Sequence, residues 1–183
     1  MGQIICITGQ MAAGKNYICS LLENEECVSI DLDKTVHEVI NENAALIYNT
    51  FKDDAEKAGL EIKNKDGTLE RRKLGKLLFL NQSLLKKQEE LVYPKTIEKT
   101  KEFINSNKDK TILINATLLF KTEELMNLCN AIYFVKSPLL KRIIRAKKRD
   151  GLTIPEILKR FKSQKNLLKN YKATKKPVLI IHN

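Results

Sequence analysis

"IICITGQMAAGKNYICSLL", residues 4–22, joins a short apolar run to a helix-compatible stretch through a turn bounded by glycines. The run "IICIT" (4–8) is continuous rather than alternating, as in a strand covered on both faces. Gly9, Gly14 and Lys15 then fit the spacing G-x-x-x-x-G-K of a loop that cradles phosphates. In such a loop the glycines let backbone N–H groups turn toward an anion. The helix N-terminus that follows adds positive potential, and the lysine reaches the terminal phosphates. The plain alternative is a tight strand-to-helix turn holding no ligand. Asn16 stands where a Ser or Thr hydroxyl ordinarily meets Mg²⁺. An amide oxygen can ligate a hard cation, but it sits on a longer side chain and cannot deprotonate. The substitution therefore reads as weakened metal binding, with the metal keeping an extra water and resting on phosphates and a nearby carboxylate.

Four further apolar runs lie outward from this stretch: "CVSI" (27–30), "TILINA" (111–116), "AIYFV" (131–135) and "VLII" (178–181). Helical patterns of ten residues or more separate them, which points to a parallel sheet wrapped by helices. Residues 35–108 contain no convincing strand. They read as a helical insertion between strands two and three, its helices separated by "KDGT" and by Pro94. Residues 137–171 read as helix, turn, helix: Gly151 suits a left-handed stop, and Thr153 with Glu156 forms a capping box around Pro155. A charged helical hairpin outside the sheet is placed to move.

With 183 residues the chain supports one domain. Its formal charge of +11 invites a nucleic-acid reading, but only six of the 33 basic residues are Arg. The abundant Lys reads as a solvated surface, which leaves a protein for small anionic substrates as the competing idea. Cys6, Cys19, Cys27 and Cys129 stand singly without metal spacing and read as buried thiols in a reducing cytosol. The expected location is cytoplasmic: the N-terminal stretch has no basic leader, and no run approaches about 18 apolar residues.

Two more clusters can carry chemistry. In "SIDLDKTVHEVI", Asp31 and Asp33 directly follow the second apolar run, at the carboxyl end of a strand, where open α/β sheets bind ligands. One carboxylate can accept the proton of an attacking hydroxyl and another can hold Mg²⁺ through water. His37 lies four residues beyond Asp33, on the same face of a helix. Asp33 as a helix cap and His37 as a solvated residue are the alternatives. Arg142, Arg145 and Arg149 recur at spacings of three and four, and Arg160 with Gln164 does the same on the next helix. In a Lys-rich chain, Arg here suggests a lid whose planar forks reach phosphate oxygens.

Together these segments resemble the dephospho-CoA kinase family, in order from residue 4 to about 181. "ITGQMAAGKN" is similar to its phosphate loop, and "SIDLDKTVHEVI" to its D-A-D segment followed by Arg or His. "KDGTLERRKLGKLLF" resembles its D-G-x-L-x-R-x-x-L stretch through Asp66, Gly67, Leu69, Arg71, Leu74 and Phe79. "EELVYP" is similar to its E-x-I-x-H-P, with Tyr93 for His. "RAKKRDGLT" and "RFKSQ" resemble its lid through Arg145, Arg149, Asp150, Arg160 and Gln164.

The resemblance implies a P-loop NTPase-like, three-layer α/β/α fold with a five-stranded parallel sheet in the order 2-3-1-4-5. It implies a single kinase domain over 1–183, with a nucleotide-binding core (1–34 and 109–183), a CoA-accepting helical insertion (35–108) and a lid (138–170). The implied activity is transfer of the ATP γ-phosphate to the 3′-hydroxyl of dephospho-CoA, with Mg²⁺ as cofactor, as the last step of coenzyme A biosynthesis. Another small-molecule or nucleoside monophosphate kinase, or a nucleotide-binding protein without turnover, stands as the alternative.

The implied ATP-binding residues are Gly9, Met11, Ala12, Ala13, Gly14, Lys15, Asn16 and Tyr17. Asp33 is the implied base, acting with Lys15, Arg145 and Arg149. Asp31, His37, Arg71 and Tyr93 are assigned to the acceptor, and Asn16 and Asp31 to the metal. Expected partners are ATP and dephospho-CoA, with neither membrane nor nucleic acid, in a monomer or weak homo-oligomer.

The chain departs from the family pattern at several places. Gln10 replaces a loop glycine, Asn115 stands where many members carry Asp, and Thr117 and Lys121 replace Pro and Glu in "ATLLFK". "VLIIHN" ends the sequence where the family normally adds a helix; the expectation is that this helix is dispensable or that the version is minimal.

Overall fold

Continuous Ile, Val and Cys runs favour extended backbone only if both faces are covered, and the central strand meets that condition most fully. In β1 (Ile4–Gly9), Cys6, Ile7 and Thr8 are 0% exposed. A computed structural model describes residues 2–183 and every side chain in that span except Leu80's; Met1 of the expected 1–183 domain lies outside it.

After β1 come α1 (Lys15–Leu22) and β2 (Cys27–Asp31). Four helices follow in succession: α2 (Leu32–Glu42), α3 (Ala44–Lys57), α4 (Arg71–Leu80) and α5 (Gln82–Ser106). The chain then runs through β3 (Thr111–Asn115), a 3₁₀ turn at Leu119–Lys121, α6 (Glu123–Leu128) and β4 (Ala131–Lys136). It ends with α7 (Leu139–Asp150), α8 (Ile154–Ser163), α9 (Leu167–Ala173) and β5 (Val178–His182). All five strands are parallel and flanked by helices, as the apolar runs predict, and their order β2-β3-β1-β4-β5 is the one the family resemblance implies.

Two compact units make up the chain: Met1–Leu32 with Lys101–Asn183, and Asp33–Thr100. The first contains the sheet. Its register sets Asp31 beside Asn115 across β2 and β3, and Gly9 beside Val135 across β1 and β4. The carboxyl ends of β1, β2 and β3 thus lie side by side.

The second unit is helical around Val39, Ile47, Phe51, Leu74 and Val92. "KDGT" forms the tip of a turn closed by the antiparallel bridge Lys63–Leu69, where Asp66 Oδ1 accepts from the Thr68 N–H at 3.0 Å and its hydroxyl at 2.7 Å. Pro94 does not divide this region, contrary to the sequence expectation: α5 runs through it for 25 residues. A proline removes one helical bond, but Val92, Thr96 and Thr100 place a buried face on successive turns. The Thr96 hydroxyl donates to the Val92 carbonyl at 2.9 Å and that of Thr100 to the Thr96 carbonyl at 2.6 Å. Burial of that face outweighs the single lost bond.

Candidate active site

The loop between β1 and α1 depends on two glycines. A Cβ on Gly9 would come within 2.5 Å of the Val135 carbonyl oxygen, so the loop leaves the sheet only because residue 9 has none. Gly14 caps α1 at φ 99°, a conformation that strains any residue with a side chain. Ala12, at φ 60°, carries such strain without being glycine. The loop's amides are not all directed to one place: the Ala13 N–H donates to the Gln10 carbonyl at 3.0 Å, and the Met11 N–H to Gln164 Oε1 at 2.6 Å. Lys15, Asn16 and Tyr17 form the first turn of α1, where N–H groups lie beyond the intrahelical ladder.

Arg142 of α7 and Gln164 at the end of α8 grip this loop. Arg142 on α7 is 6% exposed and donates from Nε to the Met11 carbonyl at 3.0 Å and from Nη1 to Gln10 Oε1 at 2.8 Å. Gln10 Nε2 donates to the Gln164 carbonyl at 3.2 Å. The guanidinium lies 4.0 Å over the Phe161 ring, while Nη2 is buried without a hydrogen-bond partner among the described residues. Burial pushes the Arg142 pKa down, and the ring face offsets part of that desolvation. Met11, Ala146, Ile157 and Phe161 form the apolar cluster beneath. The hairpin itself ends α7 at Gly151 and opens α8 with the Thr153–Glu156 capping box, as the sequence predicts.

Arg145 is half-buried, with Nη1 at 3.4 Å from the Ala13 carbonyl and 3.3 Å from Ser137 Oγ. Asn183 Nδ2 donates to that same carbonyl at 2.9 Å. Arg149 is exposed and pairs bidentately with Asp150, Nε–Oδ1 2.7 Å and Nη2–Oδ2 2.9 Å, which pulls the Asp150 pKa below the ordinary carboxylate value. The three arginines expected to share one task therefore stand in three environments.

Asp31 closes β2, while Asp33 is already in the first turn of α2, one helical turn before His37; Asp33 and His37 are both exposed. Asp31 Oδ2 accepts from Asn16 Nδ2 at 3.3 Å, and Asn16 Oδ1 accepts from Asn115 Nδ2 at 3.0 Å. The structure thus brings together the β1–α1 loop, Asp31, Asn115 and Arg145 in the first unit. In the second unit, Arg71 is the exposed first residue of α4, and Tyr93 on α5 is half-buried with its hydroxyl on Glu89 at 3.0 Å. Burial, followed by Glu89, pushes the Tyr93 pKa up. Sequence reasoning gave Asn115 and Gln10 no task at the loop, and it gave Arg142 a reach toward phosphate oxygens rather than this contact with the loop. The available signals were a polar residue ending an apolar strand and the pairing of Arg142 with apolar Ala146 one turn on.

A dephospho-CoA kinase family model matches residues 3–183. The chain is 32% identical over 184 residues to the dephospho-CoA kinase of Treponema denticola, covering 98% of this chain and 82% of that protein. It is 34% identical over 165 residues to that of Treponema pallidum, covering 88% and 78%. Among solved structures, the dephospho-CoA kinase from Campylobacter jejuni superposes with a TM-score of 0.70 at 25% identity, covering 100% of this chain and 89% of that one. The crystal structure of TT1252 from Thermus thermophilus superposes at 0.82 with 24% identity, covering 100% and 88%, a likeness of fold.

Proposed function

This chain belongs to the dephospho-CoA kinase family, and from that premise we propose that it transfers the γ-phosphate of ATP to the 3′-hydroxyl of dephospho-CoA, the last step of coenzyme A biosynthesis, in the cytoplasm. The observation that carries the reading is the β1–loop–α1 unit with Lys15 at the helix start, set beside Asp31 at the end of β2.

In phosphoryl transfer the protein does little covalent work, so rate comes from alignment and charge stabilisation. Gly9 and Gly14 shape the loop around the polyphosphate. Lys15 and the amides of the first α1 turn, Asn16 and Tyr17, hold its oxygens, with Met11, Ala12 and Ala13 forming the wall. Asp33 takes the proton of the attacking hydroxyl. Arg145 neutralises charge on the transferring phosphoryl, and Arg149 joins it by exchanging Asp150 for a phosphate oxygen. Arg71, His37 and Tyr93 bind the acceptor in the helical unit 33–100, and residues 138–170 act as the lid.

The donor set fits Mg²⁺ carried in by the nucleotide rather than caged by protein. Asp31 offers a hard anionic oxygen with Asn16 beside it, and no cluster of three or more His, Cys, Asp or Glu occurs among the described residues. Asp31, with Asn16 beside it, would face the metal, which would supply charge neutralisation to the phosphates.

No helix among the described residues is long and apolar enough to cross a membrane, which is compatible with small-molecule partners. Binding without turnover is the second reading, favoured by the amides at positions 16 and 115. A coupled ADP-release assay across dephospho-CoA, AMP, GMP and CMP separates the cases. Turnover is expected with dephospho-CoA alone; turnover with a nucleoside monophosphate and none with dephospho-CoA overturns the assignment. ADP uptake with no turnover on any acceptor favours the second reading.

A further inference from the structure

Two amides meet where a phosphate loop ordinarily sets a hydroxyl and a strand-end carboxylate around a cation. Asn115 Nδ2 donates to Asn16 Oδ1 at 3.0 Å, and Asn16 Nδ2 donates to Asp31 Oδ2 at 3.3 Å. The direction of this relay follows from its carboxylate end. An ionised carboxylate only accepts, so the nitrogen of Asn16 must face Asp31 and its oxygen must face the nitrogen of Asn115. Asn115 is 4% exposed, and an amide buried that deeply requires a partner inside the protein. The sheet register presents it: Asp31 and Asn115 are direct neighbours across β2 and β3, about 4.8 Å apart, with Asn16 bonded to both.

We propose that Asn115 is a positioning residue acting through Asn16: it turns the position-16 oxygen away from the nucleotide's cation and steadies Asp31 as the strand-end carboxylate that meets it. This deepens the nucleotide-binding reading and rests on it. With neutral amides at both positions, the protein adds less to the cation's hold on the nucleotide than a hydroxyl and a second carboxylate would.

The quantity to measure is the Mg²⁺ enhancement of ADP affinity, the ratio of affinities in Mg²⁺ and in EDTA, by calorimetry without any acceptor. Asn16→Thr and Asn115→Asp should each raise it about threefold or more. The double variant should exceed the product of the two by about threefold, because the new hydroxyl can donate to the new carboxylate, restoring a bond between positions 16 and 115 in the opposite direction to the present one. The relay is overturned if the single effects multiply to within about twofold in the double variant, or if none differs from wild type. A purely packing role for Asn115 would lower the melting temperature and leave the enhancement unmoved.

Should Asn115→Asp not fold, Asn115→Ser replaces it and keeps the site uncharged. Asn16→Thr must then change the enhancement by a factor about threefold different from its effect in wild type, and equal effects overturn the relay. Absence of ADP uptake by wild type in both buffers is a separate result: it overturns the nucleotide reading itself, and the relay's role with it.

Discussion

Asp31 and Asp33 are two residues apart in the chain, yet one ends a strand and the other starts a helix. An acidic residue in the first turn of α2 interacts favourably with the helix dipole, worth about 0.3–1 kcal/mol at an exposed site. A general base is worth far more to the rate, about 10²–10⁴-fold, so the two roles separate by magnitude. In Asp33→Asn, kcat is expected to fall by about 10²–10⁴ with ATP affinity nearly unchanged, read from steady-state kinetics and nucleotide titration. Unchanged turnover with a small loss of stability would leave Asp33 a structural residue of the first turn of α2, inside the helix rather than its cap. Asn16 was legible as a departure from the loop's spacing. Its contact with Asn115 was not, because the two are brought together by sheet pairing across 99 positions of sequence.

At the scale of elements, the α7–α8 hairpin shows how far a helical stripe can be read. Arg142 and Arg149 are seven residues apart, nearly two full turns, so they project from almost the same side of α7 about 10 Å apart along its axis. Arg142 lies against the loop and Phe161, whereas Arg149 is solvated and paired with Asp150 near the Gly151 stop. Azimuth follows from sequence; what stands opposite each turn does not. Arg142→Ala removes two hydrogen bonds and a ring contact and leaves the Met11 carbonyl and Gln10 amide oxygen without that partner, an expected loss of about 2–4 kcal/mol in urea unfolding. Arg142→Lys should recover only part of it, lacking the planar fork that spans Met11 and Gln10. Arg149→Ala should cost less than about 1 kcal/mol, as exposed ion pairs do. Equal losses at both positions would refute the division of labour seen along α7.

Across the whole molecule, sheet burial extends to the thiols. Cys6, Cys19 and Cys129 are buried, while Cys27, expected to be buried as well, is partly exposed because it opens β2 at the sheet edge. Burial pushes the thiols of Cys19 and Cys129 up to about 12, and raises Cys6 well above its ordinary value. The folded chain thus holds these protons more tightly than the unfolded one. Their contribution to stability is complete below the ordinary thiol pKa of about 8.5 and is lost as pH rises from there toward about 12. Urea midpoints should fall over that window, less steeply in Cys19→Ala, and a chromogenic thiol reagent should label Cys27 ahead of the other three. A midpoint slope identical in Cys19→Ala would contradict the burial account.

What the amino-acid order determined by itself was local: the continuous apolar strands, the Gly9–Gly14–Lys15 spacing, the Gly151 stop and the Thr153 capping box. Each follows from sterics or hydrogen bonding within a few residues. What only the tertiary structure decided was contact between remote segments. Pro94 could be carried inside α5 because a buried face forms around it, Arg142 became a buried brace on the β1–α1 loop, and Asn16 met Asn115. Those outcomes depend on which surfaces exclude water together, a property of the packed fold that no local pattern contains.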